Sequence, residues 1–378
     1  MIYCAGHSII SPLGEGSQSN FEAVRAGRSG LKLHSSRFAD VEPLCASLFD
    51  EPRRFVPLCV RSVELAAEQS DVSLGSADTV FILSTTKGDN LDLLTPARAI
   101  ALHFDNPNSP VVVSNACTSG VCAQITAQRL IEAGLYSTAV VVGCDIQSRF
   151  IVSGFQAFKA LSSEPCKPFS PDRHGLNLGE AAATIIFSAT SDGCRSAVGS
   201  PASVGAQSAR TLIPLLRGGG TQCRRGRTDS TVGSSPASCQ NVVWRLVCGS
   251  IHNDANHISA PSRTGDGAYL CLKDVMENLN PDDINLLGVH GTGTLYNDDM
   301  ELAAILRAGL GSVPRCSLKP VFGHTMGAAG VLETIIAMMQ AEMDASELPA
   351  LQHYKAVNVI KMLSGFGGVN AAIRLQCS

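Results

Sequence analysis

The chain has 378 residues, 45% of them hydrophobic and 16% charged, with a formal net charge of −4. That length can bury a large core, in one duplicated unit or in two domains. No basic stripe is interleaved with aromatics, so nucleic acid is not an expected partner. No apolar run reaches the ~18 residues that span a bilayer, so no membrane association is expected.

The chain opens with MIYCAGHSIISPLG, which has no basic region before its apolar residues. It reads as a strand running into a turn, not as a signal peptide, and so predicts a cytoplasmic protein. The 14 cysteines include no CxxC pair. In a reducing compartment they pack as free thiols, and no metal site is expected. Apolar runs at 79–84, 111–115, 138–143, 182–187 and 284–290 predict buried strands. Helical patterns lie at 19–27, 61–70, 119–133, 299–308 and 328–342. This alternation predicts an α/β fold with mostly parallel sheets.

In VVVSNACTSGV, residues 111–121, a buried strand gives way to a helix start at Cys117. Helix N-terminal N–H groups favour a thiolate and can lower a cysteine pKa to roughly 3.5–7.5. Small neighbours leave room for a substrate, so Cys117 is a candidate nucleophile; most of the other cysteines read as packing. From Ala189 to Cys248 the chain contains neither Lys nor Glu, and is rich in Ser, Gly and Arg with four Cys. That stretch reads as an atypical insertion or as a frame-shifted segment. It divides the chain into 1–188, 189–248 and 249–378.

Downstream, VHGTGT ends a strand at His290 and turns through Gly and Thr. There the histidine can meet a ligand or bond within the loop, and Thr292 and Thr294 can contact a polar group or brace the turn. In LKPVFGHTMGAAG, residues 318–330, Lys319 and His324 have loop spacing and a low-bulk helix start follows. Glu333 then falls inside an apolar helix and needs a partner, for which Lys319 is the candidate. This segment and the one around Cys117 both put reactive side chains at a helix N-terminus, a weak sign of internal duplication. GFGGVN, residues 365–370, is a Gly-rich turn with one aromatic. His252 and His257 have no usual ligand spacing.

Five motifs in order, NACTSG, KPFSPDRHGLNLGEAA (167–182), HGTGT, LKPVFGHTMGAAG and GFGGVN, make the chain resemble the β-ketoacyl-acyl-carrier-protein synthases. These are elongating condensing enzymes with a thiolase-type fold, so the resemblance implies a duplicated five-layer α-β-α-β-α architecture. It implies that Cys117 takes the acyl group from a carrier-protein thioester. His290 and His324 would promote malonyl decarboxylation, with Lys319 organising the site and Glu333 linked to it. Thr292, Thr294 and Asn370 would contact the substrate arm. Phe366 would be the gating residue, its N–H and that of Cys117 forming an oxyanion hole. No metal or redox cofactor is implied. The implied partners are an acyl carrier protein and either a second copy or a related synthase. Fatty acid elongation is the leading reading; aryl polyene or polyketide assembly, or a catalytically impaired partner subunit, are the alternatives. A thiolase would have a second cysteine where SGFGG has none, and an initiating synthase would have Asn where His324 stands. A chain-length-factor subunit would lack Cys117. Two departures stand out: Ser364 where the family usually has Phe, and a 173-residue separation of Cys117 from His290, longer than the family leads one to expect.

Overall fold

The computed structural model describes residues 1–35, 37–38, 40–191, 243–347 and 356–377. The first half runs β1 (Ile2–Ser11), β2 (Gly14–Glu15), α1 (Ser17–Arg25), β3 (Lys32–His34), β4 (Leu44–Ser47), α2 (Phe55–Ala67) and β5 (Thr79–Ser84). It continues with α3 (Leu94–His103), β6 (Val111–Val113), α4 (Ser119–Glu132), β7 (Thr138–Asp145), α5 (Arg149–Ala157), β8 (Leu178–Gly179) and β9 (Ala181–Ser188). The second half is β10 (Trp244–Asn253), α6 (Asp266–Val275), β11 (Leu286–Gly288), α7 (Leu295–Arg307), β12 (Arg315–Cys316), α8 (Lys319–Phe322), α9 (Ala329–Glu347), β13 (Val357–Gly365) and β14 (Val369–Cys377).

The duplication is explicit in the strand order. In the first half it is β1-β9-β7-β5-β6, and in the second β10-β14-β13-β11-β12. In each, the first two pairings are antiparallel and the last two parallel. The halves join edge to edge where Ile2 pairs with Leu246 and Tyr3 with Arg245.

Three apolar clusters account for the layers. One packs α2 and α3 on the first half-sheet, through residues such as Cys59, Val63, Ile100 and Phe81. Another packs α6 and α7 on the second half-sheet through Leu272, Ile305 and Ile360. The largest lies between the half-sheets around α4 and α9, and includes Ile125, Ile335 and Ile373. The result is the expected five-layer thiolase-like order. β5, β7 and β9 are buried at every position because helices cover both faces, which is why they read as unbroken apolar runs. α2, covered on one side only, buries Phe55, Cys59, Ser62, Val63 and Ala66 at helical spacing.

The two central helices cross at their N-terminal ends with almost no space between backbones. A Cβ on Gly120 would lie 2.8 Å from the Gly330 Cα, and one on Gly330 would lie 2.5 Å from the Val121 nitrogen. Only glycines permit that approach. It brings the start of α4, just after Cys117, against the start of α9, just after His324.

Most of the atypical stretch 189–248 lies outside the described residues. Its C-terminal boundary needs correction: Trp244–Cys248 are the first residues of β10 and pair with β14. That strand is covered unevenly, so its pattern lacks the apolar continuity of β5 or β7.

Candidate active site

Cys117 follows β6 through a sharp turn, with Ala116 at φ +48°. Hydroxyls hold that turn. The Ser119 Oγ donates to the Ala116 carbonyl (2.6 Å) and accepts from the Asn115 N–H (2.7 Å), and the Thr118 Oγ1 donates to the Asn115 carbonyl (2.7 Å). The Ser and Thr of NACTSG are therefore turn braces. Cys117 is 6% exposed. Burial pushes its thiol up to about 11, against the opposing pull of the Lys319 cation and the Phe366 N–H. The direction is opposite to the one expected of a helix terminus, because desolvation disfavours the charged thiolate.

His290 stands just beyond β11. Its backbone N–H donates to Glu301 on α7 (2.5 Å), and the Gly291 N–H to the other oxygen of the same carboxylate (2.8 Å). Asp298, one turn earlier on α7, accepts from the N–H groups of Thr292 (3.0 Å) and Gly293 (3.1 Å). It also accepts from the Phe169 N–H (2.7 Å). The HGTGT loop is thus held by two buried carboxylates at i and i+3 of one helix. The Thr292 and Thr294 hydroxyls bond each other at 2.9 Å and both residues face the cavity.

His324 is fixed by its backbone. Its N–H donates to the Asn177 carbonyl (2.6 Å), and its carbonyl accepts from the Gly179 N–H (3.0 Å). Its Nδ1 accepts from the Met326 N–H (3.4 Å), which assigns the proton to Nε2. That Nε2, and the Nδ1 of His290, are buried with no partner among the described residues. The two rings meet edge to face, with centroids 5.2 Å apart. The Cys117 Sγ and one nitrogen of each histidine all lie within 4.8 Å of one another. Both imidazoles are held well below the ordinary histidine value, first by burial and then by the cations of Lys319 and Lys361, so they are neutral at neutral pH.

Lys319 pairs with Glu333, as its apolar helix required. Both are buried, and neither lies on the cavity wall. Lys361 on β13, which no motif marked, reaches the second oxygen of Glu333 at 2.7 Å. Burial alone would raise the Glu333 pKa; the two ammonium groups overcome it and hold the carboxyl below its usual range.

A cavity of about 570 Å³ opens over this group. Cys117, His290 and His324 are at its base, and Phe155, Phe158, Ile258, Leu295 and Phe366 are among its apolar walls. The Phe366 ring sits 6.0 Å from Phe155 and 5.8 Å from Phe158. Asn370 is buried beneath this wall. It accepts from the Ser364 hydroxyl (2.7 Å) and donates to Asp254 (3.0 Å), bracing the turn that carries Phe366. Ser364, in the place of the expected Phe, is half of that brace. His252 bonds Asp274 and His257 bonds Ser259, so the 251–262 segment forms no metal cluster among the described residues.

Comparison with known proteins agrees with this geometry. The family model described as "Beta-ketoacyl synthase, N-terminal domain" matches residues 76–192, and "Beta-ketoacyl synthase, C-terminal domain" matches 246–355. Together they cover more than half the chain, which therefore belongs to the β-ketoacyl synthase family, a family of acyltransferases. It is 27% identical over 319 residues to "3-oxoacyl-[acyl-carrier-protein] synthase 2" of Rhizobium meliloti strain 1021, covering 76% of this chain and 65% of that one. It is 29% identical to "Nodulation protein E" of Rhizobium leguminosarum bv. trifolii over 233 residues, or 60% of this chain and 47% of that one. The aligned part thus spans from just under half to just under two thirds of the length of these relatives. Among solved structures, the fold matches the ketosynthase ApeO in complex with its chain length factor ApeC from Xenorhabdus doucetiae. There the TM-score is 0.76 with 23% identity, over 100% of this chain and 98% of that one. It also matches AntDE:AntF, a type II PKS acyl-carrier protein in complex with its ketosynthase, with TM-score 0.74 and 17% identity over 99% and 98%.

Proposed function

We propose that the chain catalyses decarboxylative condensation of malonyl thioesters with an acyl group held on Cys117, as a 3-oxoacyl-carrier-protein synthase. The observation that carries this is the meeting of one thiol and two neutral imidazoles at the base of an apolar cavity, from three segments far apart in sequence.

In the first half-reaction the Cys117 sulfur attacks the thioester carbonyl of the acyl carrier. The thiol proton leaves through a neighbouring imidazole and reaches the departing pantetheine thiolate. The N–H groups of Phe366 and Cys117 suit the carbonyl oxygen as it gains charge. In the second, the bond from the malonyl α-carbon to its carboxylate breaks, CO2 leaves, and the electron pair becomes an enolate. The histidines stabilise its oxygen, His324 through Nε2–H. The α-carbon then bonds to the acyl carbonyl carbon while the carbon–sulfur bond to Cys117 breaks. The substrates bring their own phosphopantetheine arm, and the mechanism draws on no resident cofactor.

Fatty acid elongation is the reading we favour, with an acyl carrier protein as partner. A specialised polyene or polyketide role is the second, supported by the likeness to ApeO and to the AntDE ketosynthase. Under the first the partner subunit is a second copy; under the second it is a related synthase. The intact Cys117 speaks against an impaired partner subunit. Among the described residues no helix is long and apolar enough to cross a membrane, and the described cysteines are all free thiols, which fits the cytoplasm.

The test is mass spectrometry of the protein incubated with acyl-carrier protein, followed by malonyl-carrier protein. We expect an acyl adduct that Cys117→Ala abolishes. His324→Ala should suppress CO2 release while sparing the adduct. An adduct that survives Cys117→Ala would overturn the assignment.

A further inference from the structure

Lys361 is a lysine in the middle of a buried strand, 1% exposed. Its Nζ donates to the carbonyls of Val289 (2.9 Å) and Gly288 (3.4 Å) and lies 2.7 Å from Glu333. Those carbonyls belong to the two residues just before His290. β13 runs parallel to β11 with Lys361 opposite Gly288. A Cβ on Gly288 would sit 2.9 Å from the Lys361 Cδ, so the glycine gives passage to the lysine stem. Two carbonyls and a carboxylate around one ammonium are the surroundings of a bound monovalent cation.

The charge balance points the same way. One carboxylate, Glu333, sits between two ammonium groups, so the buried trio carries one surplus positive charge. Surplus buried charge is costly, and this one acts on His290 and His324. The other titratable groups facing it are Glu301 from α7, which offsets part of that charge when ionised, Cys316 from β12, and Cys117 and Cys166 beside Lys319.

We infer that Lys361 is a positioning residue for the condensation step, a built-in cation that anchors the end of β11 under His290 and supplies surplus positive charge behind the two histidines. This rests on the reading given under Proposed function. The lysine acts through other groups: the anchored carbonyls fix His290, and its charge adds to burial and to Lys319 in lowering both imidazoles and favours the enolate. Acyl transfer to Cys117 depends on it less, because Lys319 is the cation that acts on that thiol.

The test combines Lys361→Met, which keeps the stem and removes the charge, with Lys361→Ala, which leaves room for an ammonium ion. Imidazole titration by NMR is followed in the substrate-free protein, and the two half-reactions are assayed separately. In Lys361→Met we expect both histidines to titrate at higher pH and CO2 release to fall about tenfold or more, with Cys117 acylation changed by no more than about twofold. Methylammonium should restore CO2 release to Lys361→Ala but not to Lys361→Met. Unmoved histidine titrations, or an equal fall in both half-reactions without rescue, would reduce Lys361 to a structural residue and overturn the inference. Should Lys361→Met fail to fold, Gly288→Ala crowds the lysine stem instead and must move the same titrations. Failure of the unmodified protein to acylate Cys117 would sink the synthase reading alone, since the histidine titrations decide the role of Lys361 independently.

Discussion

Glu301 shows how a single residue can set the pH response of this site. Its carboxylate accepts from the N–H groups of His290 and Gly291, yet burial pushes its pKa up to about 7. Above that pH the ion holds both N–H groups; below it one oxygen is protonated and stops accepting. The position of His290 is therefore best fixed above about pH 7 and loosens on acidification. Condensation by the parent protein should show a limb with an apparent pKa near 7, falling toward acid. Glu301→Gln has one carbonyl oxygen for two donors, and an unsatisfied buried N–H costs about 1–3 kcal/mol. We expect the variant to be slower than the parent above about pH 7, to approach the parent's rate in acid, and to lack that limb. A pH–rate profile of CO2 release checks both, and a limb that persists in Glu301→Gln would assign it elsewhere.

At the scale of elements, the site exists because α4 and α9 touch backbone to backbone at Gly120 and Gly330. A methyl at Gly330 would fall 2.5 Å from the Val121 nitrogen, and only a shift of whole helices can relieve that. Gly330→Ala should destabilise the fold by about 3 kcal/mol and, in the surviving folded protein, lower acylation and decarboxylation together, because it separates Cys117 from His324. Denaturant unfolding with both assays decides this; a variant as stable and as active as the parent would disprove the crossing constraint. The same scale explains what was legible in the sequence. Cys117, the HGTGT loop and the Lys319–His324 segment are local motifs, each complete within a dozen residues, and β5, β7 and β9 announce themselves as apolar runs. Lys361 and Glu301 were silent because their partners lie on other elements, and Asn177, though inside a quoted motif, gave no sign of its partners for the same reason. Asp298 and Glu301, two acids on the inner face of α7, were the available hint. β13 was hidden by the lysine that interrupts its apolar run, and β10 by the unusual composition around it. α3, α5 and α6 gave no distinct pattern of their own.

Across the whole molecule, buried thiols are spread through every layer. Cys316 lies in the cluster between the half-sheets, Cys271 in the outer cluster of the second half, and Cys117 at the base of the cavity. Cys166 donates its backbone N–H to Asn177 behind His324. Burial raises the Cys117 thiol from an ordinary value of 9.0 to about 11, and those of Cys166, Cys271 and Cys316 to about 12. The sign follows from which state holds its proton. Below pH 9 these thiols are protonated in both the folded and unfolded chain, and their contribution to stability is fully present. Between 9 and about 11 the unfolded chain ionises while the folded one does not, so each thiol shifts the balance toward unfolding by about 1.4 kcal/mol per pH unit. Lys361 and Arg315, whose pKa values burial lowers, act in the opposite sense from higher starting values. The four thiols together remove about 10 kcal/mol by pH 11, enough to bring the fold down for a stability in the lower and middle part of the ordinary range of about 5–15 kcal/mol. Circular dichroism against pH, with a thiol reagent in parallel, should show one cooperative loss of structure between pH 9 and 11, coincident with exposure of the thiols. A fold still intact at pH 11, or thiols that react well before structure is lost, would contradict it.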